Sequence, residues 1–173
     1  MRRRRPARTT RSFAWLAVSV VVTAVPWPVS AQEAAKPPQA QAAGWTVNCA
    51  GAAGQAELAC TLVQSLVVKE NGQRVLTAVV AKRDGKLTLN LGLPHGLDLV
   101  KGVELSVDEG QRSRYPIVTA DQKGSYAMIA VDAALLGALK QGKLLNVAVS
   151  AYGGEDLILR LSLQGFTAGL AKL

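Results

Sequence analysis

The only histidine of this 173-residue chain, His95, is the first candidate for acid–base chemistry. It lies between Pro94 and Gly96, in a sequence typical of a turn. As a general base it would need a nucleophile and an orienting acid within hydrogen-bonding reach. Asp98 is near in sequence, but no serine stands in the strand–elbow–helix motif that exposes a nucleophile. We interpret His95 as an exposed turn residue and predict no catalytic residues and no enzymatic activity.

Two pairs of neighbouring acids, Asp108-Glu109 and Glu155-Asp156, could supply oxygen ligands to a metal ion. Calcium takes about six to eight oxygen ligands, and neither pair belongs to a loop of regularly spaced acids. Adjacent side chains on a strand also point to opposite faces. A zinc site needs about four ligands, which two cysteines and one histidine do not supply. We predict solvated turn residues here, and neither a metal nor a cofactor.

Cys49 and Cys60 are the only cysteines in the sequence. An even number of cysteines in an exported protein indicates a disulfide. The two-residue spacing of redox-active pairs is absent, and Gly51 and Gly54 give the intervening loop turn flexibility. We predict a structural disulfide that stabilises the fold by about 2–3 kcal/mol.

Arg112, Arg114 and Lys123 form a weak candidate patch for binding a partner. Three cations close together could meet an acidic partner or lipopolysaccharide. Two or three charges are also common in solvated loops, and a solvated loop is the favoured interpretation.

The N-terminus has the three regions of a secretory signal peptide. Residues 2–11 are rich in arginine, Phe13 to Val25 is almost wholly apolar, and Val29-Ser30-Ala31 offers small residues for cleavage. A bilayer span needs about 20 apolar residues, so a single-pass anchor is the less favoured alternative. We predict a signal peptide over residues 1–31 that directs general secretion and is cleaved after Ala31. No lipid-anchoring cysteine follows.

The positive charge of the chain is concentrated in that N-terminal segment. The formal net charge is +8, but residues 32–173 contain 14 cations against 12 acids, a net charge of +2. Nucleic-acid binding needs a basic patch or stripe, and aromatic residues for base stacking are only 5% of the chain. No nucleic-acid partner is therefore predicted.

Residues 32–43 are rich in Ala, Gln and Pro, which predicts a flexible linker before one domain over residues 44–173.

Apolar residues of that domain mostly recur at every second position, as in half-buried antiparallel strands. The clearest runs are Leu87–Leu93, Val103–Val107 and Leu157–Leu163. Further strands are predicted at Trp45–Cys49, Thr61–Lys69, Val75–Lys82, Tyr115–Val118, Ser125–Val131 and Leu144–Tyr152. Short strands separated by hairpin dipeptides, Asn71-Gly72 and Asp84-Gly85, predict a two-sheet all-β sandwich.

One short helix is predicted at Asp132–Gln141, with Asp132 as its N-cap and Gly142 as a left-handed C-cap. A terminal helical turn over 165–172 would fold Phe166 and Leu170 onto the sandwich. Trp45 is expected to pack in the core or between the sheets, near Cys49.

Four segments carry a resemblance to one protein family, and they occur in that family's order. Gly44–Cys49 is similar to an opening Trp-Thr-Val-x-Cys strand, and Cys60–Gln64 to the strand that begins at the partner cysteine. Leu93–Leu99 is similar to a central Leu-Pro-x-Gly segment, and Leu161–Ala168 to a closing Ser-Leu-x-Gly-Phe segment. The domain from Gly44 to Leu173 thus resembles the invasion associated locus B proteins.

The resemblance implies an exported bacterial domain with an immunoglobulin-like β-sandwich and no assigned catalytic residues. It also implies a link to host-cell invasion for some members. Members often carry a second cysteine pair around a Cys-x-x-x-Gly-Cys segment, but this chain has Ala120–Ser125 at that place. The second bridge is therefore missing.

The favoured function is that of an exported, non-enzymatic interaction protein of the Gram-negative envelope. Its partner would be an unknown protein or a component of the envelope or of the host surface. The alternative is a periplasmic carrier that binds a small apolar or anionic ligand between the sheets. A carrier needs a sizeable cavity, whereas the dense leucine and valine pattern predicts a filled core. The expected location is the periplasm, or the medium or cell surface, with membrane contact only through the transient signal peptide.

Overall fold

The computed structural model describes residues 40–42, 44–51 and 58–173. In chain order the elements are β1 (Ala40–Ala42), β2 (Thr46–Gly51), β3 (Leu58–Val68), β4 (Arg74–Arg83), β5 (Lys86–Leu93), β6 (Val103–Val107), β7 (Ser113–Tyr115), β8 (Ile117–Asp121), β9 (Gly124–Ala130), α1 (Ala133–Gln141), β10 (Leu144–Ser150), β11 (Asp156–Ser162) and α2 (Phe166–Leu170). None of the helices described is long and apolar enough to cross a membrane.

The strands form two antiparallel sheets. The larger sheet has the order β1-β3-β4-β5-β9-β8, and β2 joins it beside β3. The smaller sheet has the order β11-β10-β6-β7. The predicted all-β, immunoglobulin-like sandwich is therefore confirmed, and the second short helix, α2, is the predicted terminal helical turn.

The core lies between the inward faces of these sheets, and strict alternation within each strand fills it. On β5, Leu89, Leu91 and Leu93 are buried, while Asn90 and Gly92 face outward. The opposite sheet supplies the matching set, in which the buried side chains are Val103, Leu105, Leu145, Val147, Val149 and Leu161. Because each strand places every second residue on the same face, the leucine runs of the sequence become one continuous core.

The predicted hairpin dipeptides do lie at turns. Asp84 and Gly85 connect β4 to β5 with positive φ angles of 49° and 72°. Two successive residues with positive φ form the tight turn that matches strand twist, which is why Asp-Gly is favoured here.

Helix α1 begins as predicted, because the Asp132 carboxylate accepts a hydrogen bond of 2.7 Å from the N–H of Leu135. The prediction for its end was wrong in conformation. Gly142 is extended, with φ −77° and ψ 168°, and is not left-handed. Its N–H still bonds to the carbonyl of Ala138, and a Cβ at this position would overlap the side chain of Val107. Close packing against β6, not positive φ, explains the glycine.

The C-terminal helical turn is present as α2, and it closes one end of the core. Phe166 is 1% exposed, and Leu170 packs against the core from its edge. Trp45 packs beside them, with its ring centroid 5.2 Å from that of Phe166 at an interplanar angle of 72°. Its indole N–H also donates to the carbonyl of Ser162 at 2.8 Å. Trp45 therefore joins the two sheets, as its predicted packing role requires.

Two predicted boundaries differ from the structure. Ala40–Ala42, assigned to the flexible linker, form β1 and pair with Leu66–Val68 of β3. Two alanines around a glutamine give no apolar alternation, so the sequence pattern does not reveal a strand that pairs with the edge of β3. The single strand predicted at Tyr115–Val118 is two strands in different sheets, because Pro116 lacks an N–H and interrupts pairing.

The predicted signal peptide, its cleavage site and residues 32–39 lie outside the described residues.

Candidate functional site

The disulfide between Cys49 and Cys60 is present. The two residues lie directly opposite each other in the β2–β3 register. The bond therefore clamps an edge strand to its neighbour, and most of β2 is exposed on the outer side of this hairpin. The disulfide lies apart from the surface cavities described below, and its structural role stays a prediction.

His95 is exposed just after β5. The nearby Asp98 carboxylate accepts a hydrogen bond of 3.2 Å from the N–H of Val100, which orders the loop that follows. His95 makes no side-chain hydrogen bond to a described residue, so the structure does not join it to Asp98. The interpretation as an exposed turn residue agrees with this position.

One acid of each pair accepts hydrogen bonds within the fold, and no metal cluster forms around the pairs. Asp108 accepts hydrogen bonds from the N–H groups of Lys143 and Leu144, and so fixes the start of β10. Asp156 accepts from the hydroxyl of Ser150. Within the described part of the chain, no group of three His, Cys, Asp or Glu side chains is placed to hold a metal ion.

The three candidate cations are not brought to one cavity. Arg114 pairs with Glu104 across β6 and β7 of the smaller sheet. Arg112 lines a different cavity on that sheet, whereas Lys123 lies in the β8–β9 turn of the larger sheet. The patch as predicted is therefore split between two sheets, and only Lys123 reaches the groove described next.

A surface groove crosses the outer face of the larger sheet and has a cavity volume of about 460 Å³. We name it the cationic groove, and its walls include Arg74, Val79, Asn90, Pro94, Lys123 and Tyr126. Arg74 starts β4, Pro94 follows β5, and Lys123 precedes β9. Since β4, β5 and β9 are successive antiparallel strands, these three positions meet at one end of the sheet.

The floor of the cationic groove depends on a glycine. Thr77, Gly92 and Tyr126 lie side by side across β4, β5 and β9. A Cβ on Gly92 would contact the Tyr126 ring at 3.5 Å and Thr77 Cβ at 3.7 Å. The tyrosine ring thus lies beside the bare backbone of Gly92 and covers it, as aromatic residues commonly do for strand glycines. Val79 adds a second apolar surface.

The charged groups of the cationic groove are suited to an anion. Arg74 and Lys123 form no ion pair with a described residue, although the Asp121 carboxylate attracts Lys123 electrostatically. The side-chain oxygen of Asn90 is inaccessible to solvent and accepts no hydrogen bond from the described residues. It is therefore also out of reach of a ligand that binds the groove in this conformation.

The β8–β9 turn that carries Lys123 is ordered by Asp121 and Tyr126. The Asp121 carboxylate accepts from the backbone N–H of Lys123 at 2.7 Å and from the Tyr126 hydroxyl at 3.0 Å. The first contact is the main cause that lowers the pKa of Asp121, with partial burial opposing it. Donation to Asp121 is in turn the main cause that raises the pKa of Tyr126, and partial burial adds to it. At neutral pH, Asp121 is thus a carboxylate and Tyr126 a neutral donor.

A second groove crosses the outer face of the smaller sheet, but it does not favour ligands of one charge. Its walls carry Glu104, Asp108 and Glu109 together with Arg112 and Arg160. Charges of both signs line the same space, so no single sign of ligand is favoured by Coulomb attraction. The cationic groove is the stronger candidate.

The sequence interpretation missed most of the cationic groove. Arg74 stands beside a predicted hairpin and Asn90 within a leucine-rich strand, so each looked like an ordinary surface residue. The available signal was Gly92, because a glycine inside a strand often marks close approach of another group. The register across three strands was needed to place it beside Tyr126. The alternative carrier requires a ligand cavity between the sheets, whereas this groove is on an outer face.

Three comparisons agree with the fold and with the four sequence segments. The family model described as "Invasion associated locus B (IalB) protein" matches residues 45–173. Invasion protein B homologs of Brucella abortus strains 2308 and 9-941 are each 34% identical over 131 residues, which are 75% of this chain and 75% of each relative. The crystal structure of invasion associated protein B from Bartonella henselae matches with a TM-score of 0.67 and 29% identity, covering 74% of this chain and 88% of that one. The chain belongs to the invasion associated locus B family.

Proposed function

We propose that this chain is an exported, non-enzymatic interaction protein that binds an acidic, extended segment of a partner protein in the cationic groove. The observation that carries the proposal is the placement of Arg74 and Lys123 at the rim of a groove with an apolar floor. Neither cation forms an ion pair with a described acid, although Asp121 offsets part of the Lys123 charge, and the two cations lie at one end of an open sheet face.

The chemistry of the groove favours a peptide over a bare anion. A peptide supplies carboxylates for Arg74 and Lys123, and apolar side chains for Val79 and the Tyr126 ring. An inorganic anion would use only the cations. Charge complementarity of this kind raises the association rate and selects acidic partners.

Export is supported by the N-terminal sequence and by the Cys49–Cys60 disulfide, since such bonds persist in oxidising compartments. The names of the relatives associate those proteins with invasion. We propose that the partner is a protein of the bacterial envelope or of the host surface. The periplasm is the proposed location, with onward secretion or surface display needed for host contact.

Binding is tested with a fluorescent peptide in which glutamates alternate with valines, compared with the same peptide carrying glutamines. The variant Arg74→Glu/Lys123→Glu reverses both rim charges and should weaken binding of the acidic peptide by about tenfold or more. The matched control is Arg83→Glu/Lys86→Glu, which makes the same change in net charge at the opposite end of β4 and β5. This control should retain wild-type affinity apart from a small long-range effect that salt removes.

Three outcomes would contradict the proposal. Equal affinity for the glutamate and glutamine peptides would remove the role of charge. Equal weakening in both double variants would mean that net charge alone attracts the peptide. Binding of lipopolysaccharide micelles without binding of the peptide would show that the groove takes a glycolipid and not a protein segment.

Location is tested separately by protease treatment of intact and opened cells. Protection in intact cells with release from opened periplasm agrees with the proposed location. Cleavage in intact cells, or recovery from the medium without lysis, would place the domain in reach of a host surface. Retention in the inner membrane would contradict cleavage after Ala31.

A further inference from the structure

Strand β11 is an edge strand of the smaller sheet. Asp156–Ser162 pair with β10 along one side, and no described strand pairs with the other side. Strand β1 approaches β11 but is hydrogen-bonded to β3 of the larger sheet. The free side of β11 therefore presents backbone N–H and C=O groups outward.

Two hydrogen bonds at the ends of the β10–β11 pair fix which residues face the free side. Leu163 N–H donates to the carbonyl of Lys143 at 2.8 Å, and Ala151 N–H donates to the carbonyl of Glu155 at 3.1 Å. In antiparallel pairing, bonded and non-bonded residue pairs alternate, so the odd-numbered residues 155–163 bond to β10. The N–H and C=O groups of the even-numbered residues 156–162 point away from it.

Trp45 limits the free stretch at one end. Its indole N–H occupies the carbonyl of Ser162, which is one of the outward-pointing groups. What remains is Asp156–Arg160, with its midpoint at Ile158.

The protection of this free stretch against edge pairing is limited to two charges of opposite sign, those of Asp156 and Arg160. Soluble proteins protect exposed edges with charged side chains, lysine above all, and with proline, bulges, very short strands or a covering loop. Asp156–Arg160 contains no lysine or proline, and its pairing with β10 runs without a register shift. Leu157 is 49% exposed and Ile158 47% exposed, so apolar surface accompanies the open backbone groups.

The stretch is also complementary to itself. Asp156 and Arg160 are each two residues from Ile158 and share its outward face. If a second copy pairs antiparallel with Ile158 opposite Ile158, each Asp156 lies opposite an Arg160 of the other copy. Opposite charges placed directly across two strands attract, whereas the parallel arrangement would set like charges side by side. Arg160 forms no ion pair with a described residue that would compete.

We propose that β11 pairs antiparallel with β11 of a second copy, about a two-fold axis at Ile158. The two four-stranded sheets then become one continuous eight-stranded sheet, with about six new backbone hydrogen bonds from residues 156, 158 and 160. Leu157 of each copy lies opposite Leu159 of the other on the inner face. The contact uses the same patch on both copies, so it closes as a dimer and does not extend into a filament.

The experiment is sedimentation velocity of the exported chain, with its own N-terminal segment, over a wide concentration range. The wild-type protein should show a reversible dimer. Asp156→Arg and Arg160→Asp each place like charges opposite each other twice and should raise the dissociation constant by about tenfold or more. Combining the two substitutions restores opposite charges, and the dissociation constant should return to within about threefold of wild type.

Ile158→Pro tests the backbone part of the contact. It removes an N–H that points to the free side and leaves the bonds to β10 intact, so the monomer should fold while the dimer is lost. Arg83→Asp is the matched charge control for Arg160→Asp, because it makes the same change of charge at an exposed position of the larger sheet. It should leave the dissociation constant unchanged.

Each contrary result overturns the proposal. A monomer at all concentrations would mean that β11 stays an open edge. A dimer that resists Ile158→Pro and both charge reversals would use another surface. A dimer that the reversals weaken but the combined variant does not restore would contradict the register at Ile158.

Discussion

The indole N–H of Trp45 and the carbonyl oxygen of Ser162 are joined by a hydrogen bond of 2.8 Å across 117 residues of sequence. Trp45 leads into β2 of the larger sheet, and Ser162 ends β11 of the smaller one. One side chain therefore ties the two layers at the side of the sandwich where neither sheet has a further strand. The same ring meets Phe166 edge to face, so polar and apolar contacts converge at this position.

Trp45→Phe should lower the free energy of unfolding by about 1 kcal/mol, because the ring contact is kept while the hydrogen bond is lost. Trp45→Ala should lower the free energy of unfolding further, because the aromatic pair contributes about 0.5–1.5 kcal/mol in addition to the effect of the area it buries. Urea unfolding followed by far-ultraviolet circular dichroism measures both. An equal loss of unfolding free energy in the two variants would contradict a role for the ring contact with Phe166.

Cys60→Ser should lower the free energy of unfolding by about 2–3 kcal/mol, because the unfolded chain regains the freedom of the closed loop. Binding of the acidic peptide at low temperature should persist, since the cationic groove is built on β4, β5 and β9 and not on β2. Thermal unfolding with and without reductant gives the first quantity, and Cys49→Ser/Cys60→Ser is the control for a reactive free thiol. Loss of binding in a folded, reduced protein would contradict a purely structural bridge.

The double variant Ala120→Cys/Ser125→Cys should form a second disulfide. These two residues are register partners in the β8–β9 hairpin, as Cys49 and Cys60 are in the β2–β3 hairpin. The family resemblance implies a second cysteine pair at these two positions in other members. The bridge should stabilise the protein by about 2 kcal/mol through loop closure, and free-thiol titration with thermal unfolding measures it. Two free thiols after oxidation would contradict the register of this hairpin.

Gly169→Ala should lower the free energy of unfolding by about 1–3 kcal/mol, because the new Cβ would overlap the side chain of Leu62 in a filled core. Gly137→Ala is the matched control, since this glycine also lies in a helix but has nothing within 4 Å of the added methyl group. The control should be stabilised by about 0.5–1 kcal/mol through helix propensity. Effects of the same sign in both variants would be inconsistent with the packing of α2 on β3.

The destabilisation caused by Tyr126→Phe should depend on pH. Because the pKa of Asp121 is lowered in the folded protein, its contribution to stability is present above its unfolded pKa. That contribution is lost as pH falls through its folded pKa. Because the pKa of Tyr126 is raised in the folded protein, its contribution to stability is present below its unfolded pKa. That contribution is lost as pH rises through its folded pKa. The stability difference between the variant and wild type should therefore be largest near neutral pH and shrink on both sides. Urea midpoints across pH measure it, and Tyr152→Phe, at an 82% exposed position, is the control.

The sequence was most informative where alternation and burial coincide. The leucine runs at β5 and β11 and the aspartate cap of α1 followed directly from residue spacing, because a filled core constrains every second residue. It was least informative at edges and on outer faces. The short segment Ala40–Ala42 has no strand pattern of its own and pairs with the end of the long strand β3. The cationic groove likewise depends on the register that sets Gly92 beside Tyr126, and register is a property of the assembled sheet.

The position of Phe166 has a consequence for the order of events in biosynthesis. This residue is almost wholly buried and belongs to the helical turn that covers Leu62 and Trp45, yet it follows all of the described strands in the sequence. Both β3 and the start of β2 are made before it, and their apolar surfaces stay uncovered until it is added. Completion of the core is thereby postponed until every described strand has been made, so the nascent domain does not reach its final packing before α2 is synthesised.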